Sequence, residues 1–237
     1  MKVAILQSNY IPWRGVFDMI NMVDMFIFFE DVDFTKRDWR SRNKIKTAQG
    51  DVWLTVPVVH SPRGTKIKDI QIVQSDWQQK HYMTIYNSYK KAPYFAEIKP
   101  LLDDFYLNHQ WTNLSEMNIY MTKYICDLLK INTTFLNSAD IRTFGTKDDK
   151  LIEILQSVQA NAYLSGPAAK DYICNEKFKD NKIQLSYIMY DDYPAYPQMY
   201  GEYNPYVSII DLLCNCGLEE APSYVFKGRE EIINLGC

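Results

Sequence analysis

The chain contains no run of 18 apolar residues, and its start, MKVAILQSN, has no apolar segment of the kind that drives secretion. The sequence therefore offers neither a membrane-spanning helix nor a signal peptide, and the expectation is a soluble protein. Histidine and cysteine are scarce: three and five in 237 residues. The cysteines are Cys126, Cys174, Cys214, Cys216 and Cys237. An odd, scattered set reads as reduced thiols in the cytoplasm rather than as a disulfide framework. Cys214-Asn215-Cys216 has no second Cys/His pair nearby, which leaves it short of the four ligands of a structural zinc site. The Walker, H-x-G-H and K-M-S-K-S-like motifs of nucleotide enzymes are missing, as are the G-x-S-x-G elbow, internal repeats and low-complexity tracts. Excess charge is also missing. With 26 basic and 29 acidic residues the net charge is −3, which excludes generic binding to nucleic-acid backbones.

What is present is ordinary for a folded domain, at 47% hydrophobic and 23% charged, except for aromatics at 14% with 18 tyrosines. Tyrosine offers a flat apolar face and a hydroxyl together, which suits the lining of a polar cleft. The pattern predicts a buried strand at 3–6, a loop at 7–15, an amphipathic helix at 16–23 and a second strand at 25–29, which together make a βαβ unit and hence a parallel sheet. Further on it predicts strands at 52–59 and 67–73, then helices at 77–89 (with Asp76 as N-cap), 97–107 and 114–130. A strand at 133–136, a helix at 148–158 and strands at 162–164 and 183–190 follow, then an aromatic, proline-rich loop at 193–198, a helix at 208–213 and a mobile tail from 227. The alternation gives an α/β fold: one domain over 1–237, a parallel-sheet core with βαβ units and a helical lobe inserted around 77–130.

The organising stretch is 25–46, MFIFFEDVDFTKRDWRSRNKIK. An apolar strand ends in Glu30, Asp31 and Asp33. A segment with Lys36, Arg37, Arg40, Arg42, Lys44 and Lys46 follows, opposed only by Asp38. Ligands of parallel sheets sit at the carboxyl ends of the strands, so the loops 7–15 and 30–46 are expected to face one cleft. Carboxylates followed by a basic cluster suit a small anionic substrate. A strand end followed by a solvated loop is the other reading.

Six segments together resemble the WbqC-like family: Leu6-Gln7-Ser8-Asn9-Tyr10-Ile11-Pro12-Trp13-Arg14-Gly15, Glu30-Asp31-Val32-Asp33-Phe34-Thr35-Lys36 with Arg42-Asn43, Trp53-Leu54-Thr55-Val56-Pro57-Val58, Tyr163-Leu164-Ser165-Gly166, Tyr196-Pro197-Gln198 and Ser208-Ile209-Ile210-Asp211-Leu212-Leu213. They cover nearly the whole chain in the family's order. Two positions depart from it. Ser8 stands where Pro is common, and the aromatic often found near Cys214 is missing, which argues against a special role for that thiol. The resemblance implies a place in O-antigen or other surface-polysaccharide assembly and transfer of glycine or a similar acyl group to an activated amino sugar. The substrate would be a nucleotide sugar, with no permanently bound cofactor and the acyl donor left open.

Such a transfer needs a base for the amine, donors for the oxyanion and cations for the anionic handle. Asp31, Asp33 and His81 are the candidate bases. His81 also shares a helix face with Trp77, where packing is the alternative. Gln7, Asn9 and Asn43 carry amides that could serve the oxyanion or merely tie loops. Arg40 and Arg42 could grip an anion as forks and Lys36 as a point charge. Ser165-Gly166-Pro167 could cradle an anion on backbone amides with Lys170 one turn on, or be a plain strand–helix turn. Tyr10 and Tyr196 complete the proposed substrate contacts. Two further readings stay open: a nucleotide-using ligase or nucleotidylyl-type enzyme, and a non-catalytic glycan-pathway binder using the tyrosine-rich region 187–206.

Overall fold

The computed structural model describes residues 1–191 and 193–233. Cys237, one of the five expected thiols, lies outside the described residues. The first unit forms as the pattern predicts: β1 (Lys2–Leu6), α1 (Arg14–Asn21) and β2 (Met25–Phe28), with β1 and β2 parallel in the register Val3↔Met25. Next come a hairpin of β3 (Arg42–Thr47) and β4 (Gly50–Thr55) and a helical lobe of α2 (Trp77–Tyr89), α3 (Phe95–Asp103) and α4 (Leu114–Leu128). The chain then returns to the sheet with β5 (Thr134–Asn137), α5 (Asp148–Ser157), β6 (Ala162–Ser165), α6 (Asn175–Asp180), β7 (Gln184–Met189), α7 (Ile209–Val225) and β8 (Arg229–Ile232).

The six-stranded sheet has the order β5-β2-β1-β6-β7-β8. All neighbours are parallel except β8, which runs antiparallel to β7. Strand alternation sends Ala4, Phe26, Phe28, Leu164 and Ile188 to one face, against α1, α7 and the lobe. It sends Val3, Ile5, Ile27, Tyr163, Leu185 and Tyr187 to the other, against Leu151, Ile154 and Leu155 of α5 and Phe178 of α6. A sheet covered on both faces needs strands that are apolar throughout, which is why 3–6 and 25–29 read as unbroken apolar runs. From β1 the chain winds outward to β2 and β5, then crosses back through α5 to β6 on the other side of β1. Counted within the sheet this is the doubly wound order 3-2-1-4-5-6, with its switch point between β1 and β6.

Six expectations are corrected. The basic segment 36–46 is not one loop, because 42–47 pairs antiparallel with 50–55, and the strand expected over 52–59 ends at Thr55. The strand expected at 67–73 is a 3-10 turn, Ile67–Asp69, flanked by single bridges such as Val58↔Ile72. Asp76 makes no side-chain cap and pairs instead with Lys80 at 2.8 Å. The tail from 227 contains β8, whose Glu230 accepts from Lys2 Nζ at 2.8 Å and from Ser186 Oγ at 3.0 Å. Its Arg-Glu-Glu-Ile has no apolar alternation because it is a sheet edge, where charge protects against unwanted pairing. The final helix runs far past 213, kinking at Gly217, whose φ of 73° favours glycine. Among the described residues no helix is long and apolar enough to cross a membrane.

Candidate functional site

The carboxyl ends of β1 and β2 are tied together by a buried side chain. Ser8 donates its backbone N–H and its hydroxyl to the two oxygens of Glu30, at 2.8 and 3.0 Å. Burial raises the Glu30 pKa, and the bonds from Ser115 and Ser8 offset part of that rise. Glu30 is fully buried, while its neighbour Asp31 borders a cleft of about 820 Å³ at the switch point. That volume lies within the usual range for small-molecule sites. Ile5 and Leu6 come from β1 and Gln7 directly follows it, and Phe29, Asp31, Val32 and Asp33 come from the segment after β2. Residues 145–148 with Lys150 and Leu151 come from the start of α5, and Ser165, Gly166, Ala168, Ala169, Tyr172 and Ile173 from β6 and the turn after it.

The charged end of the cleft centres on Asp31. Lys150, on the first turn of α5, donates to the Asp31 carbonyl at 2.6 Å and to its Oδ2 at 2.9 Å. Lys68 Nζ stands 3.6 Å from Oδ1, and Lys66 pairs with Asp33 at 2.9 Å. Burial acts to raise the Asp31 pKa, but the bond from Lys150 and the charges of Lys150, Lys68 and Lys66 outweigh it and hold the carboxyl below its usual range. Asp31 is thus an ionised group suited to orienting a cation or an N–H. Lys150 is a partly buried cation aimed at the same spot. The sequence reading missed Lys150, because 119 residues separate it from Asp31 and only the β5–α5–β6 crossover brings them together.

Of the residues singled out from sequence, Gln7, Asp31, Asp33, Ser165 and Gly166 line this cleft. The loops that carry them also touch: the Tyr10 N–H donates to the Trp39 carbonyl at 2.9 Å. Asn9 is half-buried and is not among the lining residues. His81 is a correction. It is buried in the lobe with Nδ1 2.8 Å from the Tyr10 hydroxyl and is walled by the rings of Trp77 and Tyr106. Burial pushes its pKa down to about 4, so it is a neutral core histidine and not a base at the cleft. Tyr10 is likewise fully buried. Asn43 is a second correction, since its amide donates to the Tyr10 and Ile11 carbonyls at 3.3 and 2.8 Å and clamps the first loop.

The basic cluster disperses. Arg40 pairs with Asp38, Arg42 stacks 4.2 Å over Trp53 on the hairpin, and Lys36 is exposed away from the cleft lining. Lys170 turns to Glu231 on β8. Tyr196 is buried, donating to Asp211 Oδ2 at 2.8 Å. Apart from Lys36 these side chains are engaged with neighbours in the fold, and charge counted along the sequence cannot see such pairing. Cys126, Cys214 and Cys216 are buried and Cys174 is exposed.

The model of the WbqC-like protein family matches residues 7–222. A protein of Mycobacterium tuberculosis, strain ATCC 25618 / H37Rv, described as uncharacterized protein Rv1507c, is 44% identical over 230 residues, covering 97% of this chain and 99% of that protein. No solved structure matches.

Proposed function

The chain belongs to the WbqC-like protein family, and from that premise we propose that it transfers an acyl or aminoacyl group, of the glycine type, to the amine of a nucleotide-activated sugar bound in the switch-point cleft, in the assembly of a bacterial surface polysaccharide. The observation that carries this reading is the Asp31–Lys150 pair at the polar end of that cleft. In the reaction the sugar nitrogen attacks the acyl carbonyl, a C–N bond forms, the bond to the donor's leaving group breaks, and the proton shed by nitrogen ends on that leaving group. Asp31 would accept an N–H of the attacking amine and aim its lone pair. Lys150 would face the oxygen on which negative charge develops, where a fixed donor acts most strongly. Gln7 offers a further donor in the lining, whereas the Ser165 hydroxyl is given to Tyr163 at 3.3 Å.

A nucleotide-using ligase shares the nucleotide half of this reading, and the doubly wound strand order favours a nucleotide in either case. The aromatic loop gives the binding-protein reading little support, because Tyr196 is turned inward to Asp211.

The test is a thermal-shift panel of nucleotide sugars, ATP and acyl-CoA, followed by mass spectrometry of the sugar product. A nucleotide amino sugar should raise the melting temperature, since a ligand specific to the folded state stabilises it, and should gain the acyl mass when a donor is added. Asp31→Asn keeps the shape and removes the charge, so turnover should fall about ten- to a hundredfold with binding changed much less. Stabilisation by ATP alone, with no acylated sugar from any donor, would sink the transfer reading.

A further inference from the structure

The cleft has a second end that the transfer chemistry does not use. Past β6 the chain makes a tight 3-10 turn, Pro167–Asp171, in which Ala169 donates to the Gly166 carbonyl at 3.1 Å and accepts from Tyr172 and Ile173 N–H at 3.2 and 3.0 Å. This turn fixes the backbone of Tyr172. Ile173 is buried beneath it, while Tyr172 borders the cleft and is 72% exposed. Its ring is stacked on no other aromatic side chain among the described residues. An aromatic face left open over a cleft, on a backbone that is held, is a ready surface for a flat ring. The floor below it is apolar, made of Ile5, Leu151, Ala169 and Ile173. The first turn of α5 joins this end to the polar one, because Asp148 Oδ2 accepts the Cys174 N–H at 3.1 Å beside Tyr172 while Lys150 reaches Asp31. Three lysines line the cleft. Lys66 and Lys150 have carboxylate partners, whereas Lys147, exposed and next in the chain to Asp148, has none among the described residues.

We propose that a nucleoside diphosphate lies along this cleft with its base stacked on Tyr172 and its diphosphate against Lys147, so that a sugar on the distal phosphate reaches Asp31 and Lys150. This assignment rests on the reading of the cleft as the substrate site and adds which end takes which part of the substrate. Tyr172 acts as a specificity residue and touches no reacting atom.

The probes are UDP and ADP, with inorganic pyrophosphate as the control that has charge but no ring, each titrated by calorimetry into the full chain. At least one nucleoside diphosphate should bind. Tyr172→Ala should weaken it roughly tenfold or more, as expected for loss of one base–aromatic stack, and leave pyrophosphate unchanged. Tyr172→Phe should retain the wild-type affinity. Lys147→Met should weaken nucleotide and pyrophosphate alike. The proposal is overturned if neither UDP nor ADP binds, if Tyr172→Ala binds as tightly as the parent, or if pyrophosphate loses as much as the nucleotide on removal of the ring. The outcomes separate from those of the transfer reading. Binding through Tyr172 without acyl transfer defeats only that reading, and acyl transfer undiminished in Tyr172→Ala defeats only this one.

Discussion

Replacing Lys150 by methionine should lower the rate of acyl transfer by about 10²–10³-fold, the usual effect of removing a preorganised donor to a developing oxyanion. The Lys150 side chain is only 14% exposed and its Nζ holds both the carbonyl and the carboxylate of Asp31. Methionine preserves much of the stem but removes the charge, and with it the contact of the ammonium over the Phe29 ring at 5.7 Å. Folding should change little, because Asp31 keeps Lys68 at 3.6 Å and has its own access to water. Lys68→Met is the internal comparison. Its cation is farther away and more exposed, so its loss should cost the rate much less. Steady-state kinetics of the two variants, with melting curves alongside, checks the expectation. Equal rates in Lys150→Met and the parent would make Lys150 a structural tie between α5 and β2.

The second large effect concerns stability. Asp211→Ala should destabilise the fold by about 3–5 kcal/mol, as expected when one partner of a buried charged network is removed. Asp211 is fully buried on α7. It accepts from the Tyr89 hydroxyl at 2.9 Å and from the Tyr196 hydroxyl and Gln198 amide at 2.8 Å each. Tyr89 in turn accepts the Lys46 N–H at 3.0 Å. One carboxylate therefore joins the lobe, the hairpin, the aromatic loop and the last helix, and its removal strands two buried hydroxyls, those of Tyr89 and Tyr196, while the Gln198 amide keeps the Asn204 carbonyl at 2.8 Å. Burial raises the Asp211 pKa, more than the three bonds lower it. The folded state then holds a proton more tightly than the unfolded chain, whose carboxyl titrates near 3.9. This group's contribution to stability thus falls as pH rises from that value through its raised folded pKa and levels off above it. Urea titrations of the parent, Asp211→Ala and Asp211→Asn across that window test the size and the sign. A loss below about 1 kcal/mol for the alanine variant would show that the network is dispensable.

The same two sites show what the sequence made legible. The βαβ start was readable because burial on both sheet faces demands unbroken apolar runs, and β1 and β2 supply them. Asp31 was readable because carboxylates directly after such a run must sit at the sheet's carboxyl edge. Lys150 was not, since nothing local marks a lysine one turn into a helix as the partner of a residue 119 positions earlier. The basic count over 36–46 misled because Arg42, Lys44 and Lys46 alternate along β3 and find Trp53, Asp51 and Gln198 as neighbours. The segments Tyr196-Pro197-Gln198 and 208–213, both part of the family resemblance, meet at Asp211. Their marked residue types serve the fold there and do not line the cleft. β8 escaped notice because an edge strand needs little apolar patterning.

A crystal structure of the protein with a UDP-linked amino sugar tests the central claim most directly. The account predicts ligand density in the switch-point cleft, with the amine within hydrogen-bond distance of Asp31 and Lys150 beside it. Density elsewhere, for example over Trp39 and Trp53 on the hairpin side, with the cleft between β1 and β6 left to solvent, would contradict it.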